Sequence, residues 1–117
     1  MLAAVWYGPN DLRLENKPIP KVLPGTVLFK VKSCAICGSD LRIMGDGNPR
    51  INAPHILGHE ISGEIVELGS DVINYAVGDR ISTGADVPCG DCDHCRAGRP
   101  NCCDINFAIG YQFDGGF

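Results

Sequence analysis

Two parts of this 117-residue chain concentrate side chains that can hold a metal ion. Residues 88 to 103, PCGDCDHCRAGRPNCC, carry five of the seven cysteines. Cys89, Cys92, Cys95 and Cys103 follow the spacing C-x2-C-x2-C-x7-C, and Gly90, Gly98 and Pro100 let the backbone curl around a point. Four thiolates about 2.3 Å from one ion make a closed structural zinc site. A ferredoxin-type run needs its fourth cysteine after three residues with a proline behind it; here the interval is seven and Pro100 lies in front. A lone iron site would use two separated C-x-x-C knuckles, so iron, disulfides and free thiols are the weaker readings. The spacing selects Cys103 over Cys102 as the fourth ligand, with a one-position swap as the alternative. Four thiolates on a dication leave negative charge for Arg96 and Arg99 to offset, and His94 reads as a solvated neighbour.

A closed tetrahedral site has no position open to substrate, so chemistry must be sought elsewhere. The candidates are CAICGSD, residues 34 to 40, and HILGHE, residues 55 to 60. Together they offer a thiolate, imidazoles and carboxylates, the ligand set of a catalytic zinc that keeps one position open. Each has a plainer reading. Cys34 and Cys37 suit burial as small hydrophobes, Ser39 and Asp40 suit helix caps, and Glu60 suits an exposed strand position. HILGHE is not a metalloprotease motif, because HExxH requires a helix and Pro54 and Gly58 oppose one.

The elements that must position these residues read as mostly β. Ala3 to Tyr7 is β-prone and stops at Gly8, Pro9 and Asn10, after which Leu12 and Leu14 alternate with charged residues, predicting a hairpin. PIPKVLPG, residues 18 to 25, carries three prolines and predicts an ordered loop. Val27, Phe29 and Val31 predict a strand with one buried face, Ile61 to Leu68 a second strand, and Arg80 to Thr83 a third. One short helix is expected over Leu41 to Met44, entered through Ser39 and Asp40 and ended by Gly45. Many glycines and prolines among short strands suit a small barrel or sandwich.

Composition narrows the partners. A net charge of -4 with no Lys/Arg cluster excludes an electrostatic nucleic-acid binder. No signal peptide and no apolar run of roughly 20 residues is present, so no membrane span is expected and the address reads as cytoplasmic. In a reducing compartment, clustered thiols bind metal or do chemistry rather than pair.

CGSD at 37 to 40, GHEISGEIVELGSDV at 58 to 72, VGDRI at 77 to 81 and the four-cysteine lobe, in this order, resemble the zinc-dependent medium-chain alcohol dehydrogenases. The likeness runs over residues 1–117 and matches their N-terminal catalytic domain. The fold this implies is mainly β, a GroES-like, partly open β-barrel with a zinc-binding lobe at residues 88–103. The resemblance implies one structural and one catalytic zinc, an NAD or NADP cofactor, an alcohol or polyol substrate and a homo-oligomeric parent. Cys37 and His59 would ligate the catalytic zinc, with Glu60 a ligand or an exchangeable carboxylate beside it. Ser39 would begin a proton relay, and Asp40 would hydrogen-bond the ligand histidine. Two departures stand out. Many members complete the relay with a histidine where this chain has Arg42, whose guanidinium stays protonated; it could contact a cofactor phosphate or an anionic substrate group, or be a solvated helix residue. The second is that no G-x-G-x-x-G fingerprint occurs, so a Rossmann domain is expected downstream and the domain reads as C-terminally incomplete. CGSD and the His59-Glu60 pair look more like the polyol and threonine dehydrogenase branch. The rival expectation is a free-standing GroES-like zinc module with a scaffold or interaction role.

Overall fold

The computed structural model describes all 117 residues. Strand β1 (Leu2–Gly8) turns through Asn10, in left-handed backbone at φ 61°, into β2 (Asp11–Asn16). Asparagine tolerates that region better than most residues, which fits the tight reversal. Antiparallel register sets Leu2 against Asn16 and Trp6 against Leu12, while the two-residue strand β4 (His55–Ile56) pairs on the other edge of β1. A second sheet has the order β3 (Val27–Ala35), β5 (Glu60–Leu68), β6 (Arg80–Ser82). A third joins β7 (Asp86–Val87) to β8 (Phe107–Ala108). The architecture is mainly β as expected, with three open sheets and no closed barrel.

The register of the second sheet decides where the chemistry lies. Cys34 pairs with Ile61 and Ala35 with Glu60. The end of β3 and the start of β5 are thus neighbours, so the residues that follow Ala35 and precede Glu60 meet although they are far apart in sequence. Between them helix α1 (Gly38–Asp46) lies over the first sheet. Ile43 on this helix is buried with Trp6, Ile51 and Leu57, and Met44, Tyr111 and Phe117 pack on that cluster. A smaller cluster, Ala3, Val5 and Ile56, shares Phe117. Burying these side chains supplies most of the driving force that fixes α1 against the sheet.

Three expectations need correction. The helix runs Gly38–Asp46 rather than Leu41 to Met44, with Cys37 at the N-cap and Gly47, φ 80°, at the C-cap. Asp40 is therefore not the entry cap. From the third helical position its carboxylate reaches back to the Cys37 N–H, which lets the helix begin three residues early. Strand β3 has no fully buried face, and Val31 is 40% exposed. Register shifts between Leu28 and Phe29 and between Val31 and Ser33 break the two-residue alternation. The loop at residues 18 to 25 is irregular as predicted, but the short strands β4, β7 and β8 were not anticipated.

Gly58 directly precedes His59 and adopts φ 93°. A Cβ there would lie 2.8 Å from both Cys34 Sγ and a Phe117 ring carbon. Strain and clash act together, so Gly58→Ala is expected to destabilise the domain by about 1–3 kcal/mol. Thermal or denaturant unfolding of the variant measures this; an unchanged midpoint would show that the close approach is not a constraint.

Two candidate metal centres

The first centre is built by a loop and two short helical turns. Cys89 leads into Gly90, φ 76°; Cys92 caps α2 (Asp93–Arg96); and Gly98, φ 74°, turns the chain into a 3-10 turn at Pro100–Cys102, after which Cys103 returns to the same point. The ligand atoms of Cys89, Cys92, Cys95 and Cys103 all lie within 4.8 Å of one another. Cys89 Sγ is 3.9 Å from Cys95 Sγ. A tetrahedral ion with bonds of about 2.3 Å sets its sulfurs roughly 3.8 Å apart, so the donors already have the spacing zinc requires. Backbone N–H groups serve as donors to the sulfurs: Asp91 and Cys92 to Cys89 Sγ at 3.4 and 3.3 Å, and Cys89 to Cys103 Sγ at 3.3 Å. Cys102 is exposed and takes only the Asn101 side-chain amide at 3.6 Å, outside the cluster.

The thiols share their charge unevenly. N–H groups of Cys89, Asn106 and Ile105 lower Cys103 to about 6, and those of Asp104 and Cys95 lower Cys92. Burial, with the neighbouring sulfurs, pushes Cys95 up to about 12. Four thiolates could share so small a volume only with a cation among them, a charge that a divalent ion would supply. Arg96 is spent on Asp91 and Asp93, at 3.6 and 3.8 Å, so the N–H donors rather than this arginine face the sulfurs. His94 lies outside the cluster, 4.0 Å from Asp104.

The second centre forms where β3, α1 and β5 meet. Cys37, His59 and Glu60 present ligand atoms within 4.8 Å of one another. Behind them Asp40 is 1% exposed. Its Oδ2 accepts the Cys37 N–H at 2.8 Å, and its Oδ1 lies 3.4 Å from His59 Nδ1. That second approach is close but poorly aligned, and Nδ1 has no other partner. With Nδ1 turned to the carboxylate, Nε2 is the nitrogen left for a metal. Glu60 is exposed at the first position of β5, and Ser39 is half-exposed on the first turn of α1, one residue from Asp40. Thiolate, imidazole and carboxylate form a donor set that suits zinc and leaves a fourth position open.

The structure also places here residues that carry no motif. The Tyr111 ring lies 6.4 Å from that of His59, tilted by 57°, and the Arg50 guanidinium sits 5.4 Å over the Tyr111 ring. Tyr111 lies 52 positions after His59, Arg50 sits in the turn after α1, and no local pattern marks either. Arg42 is exposed on α1 and forms no ion pair. His55 stands apart from the cluster. Its Nδ1 is 3.3 Å from Asp114, whose carboxylate also accepts the Ile56 N–H at 3.1 Å, so this pair fastens β4 to the chain end.

The mainly β chain thus carries a four-cysteine cluster and a separate Cys/His/Glu cluster, each with the donors of a zinc site. Residues 23–117 match the family described as the alcohol dehydrogenase GroES-like domain, and the chain belongs to that family. It is 40% identical to the sorbitol dehydrogenase of Bacillus subtilis over 121 aligned positions, covering 100% of this chain and 34% of that protein. It is 43% identical to an L-threonine 3-dehydrogenase of Rhizobium johnstonii, covering 91% of this chain and 32% of the relative. Among solved structures, a short chain alcohol dehydrogenase of Escherichia coli complexed with NADH superposes with a TM-score of 0.91 at 37% identity, covering 100% of this chain and 34% of that one. The chain thus spans about a third of the length of the curated relatives it matches.

Two outcomes test the cysteine centre. Cys103→Ser is expected to lose the bound structural metal and lower Tm, whereas Cys102→Ser keeps the metal; metal analysis of both decides which cysteine is the ligand. In metal-stripped protein, Cys103 ionises at about 6 against 9.0 for an unperturbed thiol. Between those values the unfolded chain binds more protons, so this contribution is complete above pH 9 and lost as the pH falls through about 6. A Tm that falls on acidification across that window, with a flatter profile in Cys103→Ser, is the expected result.

Proposed function

We propose that residues 1–117 are the N-terminal catalytic-domain portion of a zinc-dependent NAD(P) alcohol or polyol dehydrogenase, with the structural zinc held in lobe 88–103. The observation that carries this reading is the convergence of Cys37, His59 and Glu60 over the buried carboxylate of Asp40. A scaffold module has no use for an open donor set backed by a buried acid, so the free-standing zinc module is the weaker reading. Relatives named for oxidation of sorbitol and L-threonine, and one solved with NADH, support an alcohol substrate and a nicotinamide acceptor.

Cys37, His59 and Glu60 would hold the catalytic ion, and Cys89, Cys92, Cys95 and Cys103 the structural one. Zinc at the first site would supply Lewis acidity that brings an alcohol hydroxyl toward ionisation near neutral pH, and NAD or NADP would accept hydride from the carbinol carbon. The chain's own residues do the rest. Asp40 keeps the proton on His59 Nδ1, which fixes the tautomer and orients the ring. Ser39, on the first turn of α1, takes the substrate hydroxyl proton, since a serine oxygen accepts and donates at once. Arg42 stands where many members carry the relay histidine, so the proton leaves Ser39 by another route, toward solvent. No residue here is assigned to the nicotinamide.

No helix is long and apolar enough to cross a membrane. All seven cysteines are unpaired, which fits a reducing, cytoplasmic setting, and a homo-oligomeric parent follows from the family resemblance.

The test is made in the full-length enzyme. Cys37→Ser is expected to abolish NAD(P)-linked alcohol oxidation while the structural zinc stays bound; full activity would remove Cys37 from the mechanism. Asp40→Asn keeps the shape of the cap but loses the charge facing His59. Catalytic-zinc affinity or activity should then fall about 10- to 100-fold.

A further inference from the structure

We propose that Arg50, seated on Tyr111, recognises an anionic group, a carboxylate or a phosphate, on the alcohol substrate; this deepens the dehydrogenase reading and rests on it. Arg50 occupies a turn that its neighbours hold firmly. Its N–H donates to Asn48 Oδ1 at 2.9 Å, its carbonyl accepts from Gln112 Nε2 at 3.4 Å, and the next residue, Ile51, is buried in the core. The side chain then crosses to the loop that follows the cysteine lobe. There Nη2 donates to the Asn106 carbonyl at 2.6 Å, and the guanidinium lies over the Tyr111 ring.

Those contacts orient the guanidinium without neutralising it. Arg13 is paired with Asp11 and Arg96 with Asp91 and Asp93, whereas Arg50, like Arg42, Arg80 and Arg99, has no carboxylate partner; what sets Arg50 apart is that a backbone carbonyl and an aromatic ring hold its guanidinium. Guanidinium carries five N–H donors, and one is committed to Asn106. The remainder form an exposed fork, held by the Asn106 carbonyl and the Tyr111 ring. Tyr111 neighbours both groups, its ring centroid 6.4 Å from that of His59 and 5.4 Å from the guanidinium. A molecule with its carbinol at the Cys37/His59/Glu60 centre can pass along Tyr111 and place an oxyanion on Arg50. Planar, preorganised guanidinium matches the two oxygens of a carboxylate or phosphate, and a lysine would offer only a point charge. Arg50 would thus act in binding and specificity, with no bond made or broken at it.

The experiment compares kcat/KM of the zinc-loaded, full-length enzyme for sorbitol 6-phosphate, gluconate and sorbitol in the wild type, Arg50→Ala and Arg50→Lys. The anion-to-neutral ratio is expected to fall roughly 10- to 100-fold in Arg50→Ala, mostly through KM, and to be partly restored in Arg50→Lys. The phosphate and gluconate arms show which oxyanion the fork prefers. A preserved ratio, even with all three rates reduced, would make Arg50 a structural strut and overturn the proposal. Wild-type oxidation of sorbitol without either anion would also overturn it while leaving the dehydrogenase reading intact. If none of the three alcohols is oxidised with zinc in both centres, the dehydrogenase reading falls together with this one.

Discussion

One buried carboxylate governs the half of this domain that carries Cys37, His59 and Glu60. Asp40 is 1% exposed, and a charge so placed is costly unless its oxygens find partners. Oδ2 takes the Cys37 N–H and Oδ1 faces His59. The same side chain therefore starts helix α1, fixes the thiol-bearing residue at its N-cap and turns the imidazole.

The constraint works only because the elements around it are held. Ile43, one turn after Asp40, anchors the helix against Trp6 and Leu57, while β3 and β5 bring Ala35 and Glu60 into register. Gly58 then lets the chain bend into His59 where any side chain would strike Cys34 and Phe117. The cysteine lobe sits on a different support, a loop with little apolar burial, so its order rests on N–H to sulfur bonds, which a bound metal would reinforce. The two clusters thus differ in support: one is ordered within its own loop, and the other is held by packed elements.

Much of this was legible in the sequence, for physical reasons that differ by element. The four-cysteine spacing encodes a local loop, so ligand geometry follows from short-range chain reach. The hairpin at Pro9-Asn10 and the strand at Ile61 to Leu68 follow from turn chemistry and alternation. Helix α1 begins at Gly38, ahead of its apolar residues, because the Asp40 carboxylate that caps the Cys37 N–H also faces His59 across the fold. The bulges in β3 depend on its partner strand, and two-residue strands such as β4 are too short to show a period. Arg50 and Tyr111 lie 61 positions apart and meet only through the fold. No pattern around either residue announces the meeting.

The central claim is that two chemically different zinc centres coexist, one closed by four thiolates and one open. Zinc content combined with zinc-edge X-ray absorption of the full-length protein, before and after mild chelation, tests this most directly. Two zinc ions per chain are predicted, with mixed sulfur, nitrogen and oxygen ligation. Chelation should then leave one ion in all-sulfur coordination near 2.3 Å. A single ion from the outset, bound iron, or a residual ion with nitrogen or oxygen ligands would contradict it.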